Sequence, residues 1–228
     1  MKGGMRYMNN IALSQEETQI ILGGLLGDAT LINNSIRFLQ STKQEEYIQW
    51  KHSKLNPYNT SDIHLYNINE KYSNLSFYFN NRNKQYTNFY NKIRKIFIKN
   101  NKKYVSMDYL LQLDNLGLAV WWMDDGCLSI HKGNRYGKLC THSFSYNENM
   151  IIKQYFKDKW DIDIAIKIEH KKYYFCYFNT CNLKKLIKII YPYVTQVKSM
   201  IYKIDLNYKN DNYLGDFKDI YYYIKSVS

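Results

Sequence analysis

Two stretches decide the fold: Ile21-Leu22-Gly23-Gly24-Leu25-Leu26-Gly27-Asp28-Ala29 and Leu118-Ala119-Val120-Trp121-Trp122-Met123-Asp124-Asp125-Gly126. Each is an apolar helix that ends on an acid followed by a small residue. Asp125 lies 97 residues beyond Asp28. In the first stretch Gly23 and Gly27 are one helical turn apart and share a face. Two glycines inside a helix cost about 1 kcal/mol each relative to alanine. Close approach of a second helix would offset that cost, so Gly23, Gly27 and Ala119 are expected at a helix–helix interface. Trp121 and Trp122 are expected to anchor the second helix in the core.

The order of elements around these helices occurs twice. After the helix at 15–27 come a hairpin of Thr30–Ile32 and Ile36–Thr42, a helix Gln44–Leu55, a hairpin of Ile63–Ile68 and Asn74–Asn80, and a helix Asn83–Ile98. The helix Leu116–Met123 then opens the second round. It continues with a hairpin of Cys127–His131 and Lys138–Tyr146, a helix Glu148–Lys159, a hairpin of Ile164–Glu169 and Lys172–Asn179, and a helix Leu183–Ile190. The offset is nearly constant. Phe77-Tyr78-Phe79-Asn80 resembles Cys176-Tyr177-Phe178-Asn179 at 99, and Lys103 matches Lys203 at 100. This is an α+β chain, a duplicated α-β-β-α-β-β-α unit about a pseudo-twofold axis, with halves at 1–113 and 114–228.

If the two helices pack side by side, Asp28 and Asp125 meet where two helix C-termini each carry about half a negative charge. A divalent cation resolves that conflict. Mg²⁺ takes carboxylate and carbonyl oxygens and binds substrate phosphates besides. The expected metal site is therefore Asp28 and Asp125 with the backbone at Ala29 and Gly126, and Ca²⁺ or Mn²⁺ can substitute for Mg²⁺. A metal so placed can activate water against a phosphodiester.

Composition agrees with a nucleic-acid partner. The 228 residues carry a formal charge of +12, with pI near 9.3 and 45% hydrophobic content. Such a balance suits an anionic polymer. No apolar run approaches the roughly 20 residues of a membrane span, and Met1 to Asn10 lack the apolar stretch of a signal peptide. Five of the 32 basic residues are Arg, while Lys, Asn, Ile and Tyr abound. Those residues have AT-rich codons, which points to an organellar genome, mitochondrial above all, or to a phage or bacterium. Cys127, Cys140, Cys176 and Cys181 lack CxxC spacing and read as small buried hydrophobes rather than zinc ligands.

The two stretches resemble the paired motifs of the LAGLIDADG homing endonucleases, of the monomeric, intron-encoded class with both motifs in one chain. The resemblance covers roughly residues 15 to 206, including Asn100-Asn101-Lys102-Lys103 and Met200-Ile201-Tyr202-Lys203. It implies two saddle-shaped antiparallel sheets on a central two-helix interface. It also implies a site-specific endonuclease on a long, asymmetric double-stranded DNA site, with Asp28, Asp125, Lys103 and Lys203 as catalytic residues. A Lys beside each metal can hold a water network or offset charge on the scissile phosphate. Two departures concern helix packing: Leu26 stands where many members carry an acid, and Val120 where a small residue is usual. Strand alternation then nominates DNA contacts: Arg37, His64, Tyr66, Ser76, Lys138, His142 and Lys167; the hairpin tip Lys132-Gly133-Asn134-Arg135 is expected to reach the DNA backbone, through Lys132 and Arg135. Because both halves share one chain, a monomer is expected. Intron RNA is a second possible partner, since some members act as maturases, and a non-catalytic DNA-binding protein is the third reading. Intact Asp28 and Asp125 favour cleavage.

Overall fold

The computed structural model describes residues 13–33, 35–55, 57, 59–67, 73–80, 84–131 and 134–205. Helix α1 (Gln15–Leu26) starts at Ser14, whose hydroxyl accepts from the Glu17 N–H while the Glu17 carboxylate accepts from the Ser14 N–H. This reciprocal pair satisfies two of the orphan donors of the first turn. The chain then forms strands β1 (Thr30–Ile32) and β2 (Ser35–Ser41), helix α2 (Glu45–Lys54), strands β3 (His64–Asn67) and β4 (Ser73–Asn80), and helix α3 (Lys84–Phe97). A small hairpin, β5 (Ile98–Lys99) and β6 (Lys102–Lys103), and the short helix α4 (Met107–Leu110) complete this half. Asp114 caps helix α5 (Asn115–Asp125), accepting from the N–H groups of Leu116 and Gly117. The second half repeats the plan with β7 (Gly126–His131), β8 (Asn134–Leu139), α6 (Tyr146–Trp160), β9 (Ala165–Glu169), β10 (Tyr173–Phe178) and α7 (Thr180–Val194).

The duplication is visible in the sheets. Both have four antiparallel strands, in the orders β1-β2-β4-β3 and β7-β8-β10-β9. The registers correspond too: Thr30, two residues after Asp28, pairs with Arg37, and Cys127, two after Asp125, pairs with Lys138. Arg37 is thus the counterpart of Lys138. Gln40 is that of Thr141.

Helices α1 and α5 lie against one another at the centre, and all of Ile20–Leu26 and Leu116–Met123 is buried. Gln19 bridges them at the open end, donating to the Gln112 carbonyl at 2.8 Å and accepting from the Asp114 N–H at 2.8 Å. A methyl at Gly23 would overlap the Gly117 carbonyl and sit 2.9 Å from the Val120 Cβ; one at Gly27 would run into the Asp124 side chain. Gly23 and Gly27 are therefore contact positions, as expected. Ala119 is fully buried, but the atoms of α5 that meet those glycines belong to Gly117, Val120 and Asp124. Gly23 faces the backbone of another glycine and the Cβ of Val120, so Val120 is accommodated by Gly23.

Three expectations need correction here. Strand β8 occupies Asn134–Leu139 rather than Lys138–Tyr146. After Leu139 the chain leaves the sheet because Thr141 is drawn inward to Asn149 and Ser145 caps α6. Helix α7 outlasts Ile190 and takes Pro192 into its last turn. Of the cysteines, Cys176 is buried, Cys127 and Cys140 are half-buried and Cys181 is exposed, so the core reading fails for Cys181.

Candidate active site

At the C-terminal ends of α1 and α5, Asp28, Asp124 and Asp125 converge with three lysines. Each lysine is delivered by a different device. Lys103 rides on the β5–β6 hairpin, whose turn residues Asn100 and Asn101 have φ of 51° and 59°. Two successive positive φ values suit a two-residue hairpin loop, and Asn tolerates them best after Gly. Lys103 Nζ donates to the Gly27 carbonyl at 2.9 Å. Lys203 ends a 3-10 turn, Lys198–Lys203, held by the Trp122 indole N–H donating to the Lys203 carbonyl at 3.0 Å. Its Nζ donates to the carbonyls of Asp124 (3.2 Å) and Gly126 (2.7 Å). Gly27 and Asp124 each precede the aspartate of their motif, so the two lysines cap equivalent carbonyls. A cation at a helix C-terminus is favourable. The Gly126 carbonyl, expected at the metal, is thus engaged by Lys203.

Lys51 is the third lysine. It lies on α2 and is inaccessible to solvent. Its Nζ is 2.7 Å from Asp124 Oδ1, and both side chains are essentially fully buried (1% and 0% exposed). The ammonium also sits 4.1 Å from the centre of the Tyr47 ring. Gln40, buried on β2, donates from Nε2 to Asp28 Oδ2 at 3.0 Å and to Asp124 Oδ1 at 3.1 Å. The Asp28 N–H donates to Asp124 Oδ2 at 3.3 Å.

Burial and the neighbouring Asp124 charge push Asp28 up to about 6, against relief from Lys51 and Gln40. Asp28 is nevertheless open to solvent, so the crowding comes from the protein on its remaining sides. Burial, Asp124 and Asp28 push Asp125 up to about 8, with Lys103 opposing. Burial lowers the Lys103 ammonium from its usual range, offset by the three aspartates. Asp28 and Asp125 are thus two carboxylates reluctant to be anionic together, which is the environment a cation would relieve. Among the described residues no group of three or more His, Cys, Asp or Glu side chains forms a complete metal site. Two carboxylates plus water, carbonyl and phosphate oxygens are a donor set that fits Mg²⁺.

Sequence reasoning placed Asp28, Asp125, Lys103 and Lys203 together, and the fold brings all four to one locus. It missed Lys51, Gln40 and the separate position of Asp124. A signal was present for Lys51, which is one turn from Tyr47, Ile48 and Leu55 and so lies on the buried face of its helix.

The proposed DNA contacts divide. Cross-strand pairing puts Arg37, His64, Tyr66 and Ser76 on one face of the first sheet, through Arg37–Tyr78, Leu39–Ser76–His64 and Asn74–Tyr66. Phe38, Phe77 and Phe79 fill the other. His64 and Tyr66 are exposed and Arg37 half-buried, while Ser76 is recessed to 8% exposure between its neighbours. In the second sheet Lys138, Tyr177 and Lys167 share the corresponding face. Lys167 is exposed over the Tyr177 ring. Lys138 and His142 both meet the Glu169 carboxylate. Arg135 is a correction. It is one of the alternate residues, with Gly137 and Leu139, that face the core, and it is 8% exposed. Lys132 lies outside the described residues.

The profile of the LAGLIDADG DNA endonuclease family matches residues 18–186. A Protein RecA of Mycolicibacterium flavescens is 24% identical over 209 residues, which cover 84% of this chain and 47% of that protein. The Protein RecA of Mycobacterium leprae is 26% identical over 213 residues, covering 84% and 28%. The chain thus spans about half the length, or less, of these curated relatives. A probable intron-encoded DNA endonuclease 3 of Mycosarcoma maydis is 32% identical over 104 residues, covering 45% of this chain and 73% of its own. Among solved structures, the homing endonuclease I-WcaI bound to its DNA recognition sequence shares this fold, with a TM-score of 0.72 and 22% identity over 86% of this chain and 89% of that one.

Proposed function

Because the chain belongs to the LAGLIDADG DNA endonuclease family, we propose that it is a site-specific endonuclease that hydrolyses double-stranded DNA with a divalent metal, acting as a monomer. The observation that carries this reading is the pairing of Asp28 and Asp125 at two helix C-termini, each beside its own lysine and each with a raised pKa. When bound, a divalent cation supplies the Lewis acidity that activates a water and stabilises the leaving oxygen of a phosphodiester. Asp28 and Asp125 hold the cations. Lys103 and Lys203 are pinned to helix-end carbonyls by one or two of their three N–H donors. Their charge stands where a scissile phosphate would gather negative charge, and no reorganisation is needed to place it there. The exposed faces of the two sheets, with Arg37, His64 and Tyr66 on one and Lys167 on the other, read the groove on either side of the cut.

The test is cleavage of a random-site DNA library with and without Mg²⁺, repeated with Asp28→Asn and Asp125→Asn. Wild type is expected to yield one family of cut sites only with metal. Each variant is expected to keep binding that site in Ca²⁺ and to lose double-strand cleavage. A variant that cuts at the wild-type rate removes that aspartate from the site, and a wild type that cuts nothing defeats the reading.

A further inference from the structure

The pseudo-twofold relation makes Gly27 and Asp124 counterparts. Position for position, one half offers a bare slot and the other a carboxylate. Asp124 does not stay in its own half. From α5 it crosses into the first half, where Lys51 of α2 meets it at 2.7 Å and Gln40 of β2 at 3.1 Å. Among the described residues the second half has no such receptor. The counterpart of Gln40 is Thr141, committed to Asn149, and at the same offset of 101 residues Lys51 falls on Ile152, which is fully buried and apolar.

The charge of Asp124 acts on both Asp28 and Asp125, but among the described residues its carboxylate accepts a main-chain hydrogen bond from only one of them. Its Oδ2 accepts the Asp28 main-chain N–H at 3.3 Å, while its Oδ1 is held by Lys51. The backbone that carries the Asp28 carboxylate is thereby tied to the opposite helix. The Asp125 backbone is held differently, its carbonyl accepting from the Cys140 N–H at 3.0 Å within its own half. We propose that the Lys51–Asp124 ion pair is a positioning device for Asp28 alone, so that the two strands of DNA are cut by unequally supported centres. This rests on the reading that Asp28 binds a cation. A buried ion pair that only held the halves together would serve both centres alike.

The experiment compares strand-resolved cleavage of a target duplex labelled on each strand, using wild type and two double variants. Lys51→Met with Asp124→Gly removes both charges, which avoids leaving one unpaired in the core, and puts glycine at both counterpart positions. Lys51→Met with Asp124→Asn also removes both charges but keeps an oxygen that can accept the Asp28 N–H. The Gly version is expected to slow the cut of one strand by about 10–100-fold, the size typical of lost outer-shell support at a metal, and to leave the other strand within about twofold. The Asn version is expected to restore the balance. Calorimetry of Ca²⁺ binding to the protein–DNA complex gives a readout independent of cutting, with one of two cations weakened in the Gly version. Equal slowing of both strands, no slowing, or an Asn version as lopsided as the Gly version would overturn the proposal. Wild-type cleavage is the control: its absence refutes the endonuclease reading, whereas its presence with balanced variants refutes only this inference.

Discussion

Replacing Lys51 by Met alone removes one member of a pair in which neither side chain reaches solvent. Asp124 would be left with Gln40 at 3.1 Å and the Asp28 N–H at 3.3 Å, both neutral donors. It would also remain beside two further carboxylates, Asp28 and Asp125, both of which its charge already pushes up. Breaking a buried pair from one side costs about 3–5 kcal/mol, because the surviving charge is uncompensated. That is a large share of the roughly 5–15 kcal/mol by which a folded chain is stable. For a chain of 228 residues, at about 2–4 °C per kcal/mol, the melting temperature should fall by about 6–20 °C. The assay is thermal and urea unfolding of wild type and Lys51→Met in metal-free buffer at neutral pH. Lys51→Met with Asp124→Asn, with no charge left to bury, should recover most of the loss. A single variant that melts within about 2 °C of wild type, less than 1 kcal/mol for a chain this size, would show that Asp124 finds water or a proton without difficulty, and the energetic account of the pair would fail.

Gly23→Ala should destabilise by about 1–3 kcal/mol or more, since the new methyl meets backbone at Gly117 that cannot rotate away; an unchanged urea midpoint would contradict the tight crossing. Asp28 and Asp125 hold protons in the folded chain, up to about pH 6 and about pH 8, where the unfolded chain with its value near 3.8 has released them. Folding therefore takes up protons in that window, and metal-free stability should fall as pH rises through it. Mg²⁺ competes with those protons, so the stabilisation it confers should be larger at about pH 8 than at about pH 6, and a pH-independent gain would contradict the shared site. DNA affinity should fall with salt at a log–log slope of roughly −9 if about ten phosphates are neutralised. Lys103→Ala and Lys203→Ala should slow cleavage in Mg²⁺ far more than they weaken binding in Ca²⁺; parallel losses would make them ordinary phosphate contacts.

The motif helices were legible because their signals are local and repeated. A glycine pair one turn apart, an acid at the helix end and a second copy 97 residues on need no tertiary information. Lys103 and Lys203 were legible through the same periodicity. Arg135 was misread for a reason peculiar to strands: a hairpin tip looks solvent-facing, but a strand alternates faces from its first residue, and the register that starts at Asn134 turns Arg135 inward. Lys51 was hidden because a lysine in a charged helix reads as surface. Its fate depends on a carboxylate 73 residues away, in the other half of the fold. Asp124 was overlooked because it stands next to Asp125 and reads as part of the same acidic end, although the two point to different tasks.

The unequal slot at the helix crossing also decides which half can keep company with which. Two copies of the first half would face Gly27 with Gly27 and leave both Lys51 ammonium groups without a carboxylate. Two copies of the second half would bury two Asp124 side chains near each other without the Lys51 that pairs with that carboxylate. Only the mixed pair satisfies every charge. A chain severed between residues 113 and 114 would thus favour the heterodimer over either homodimer.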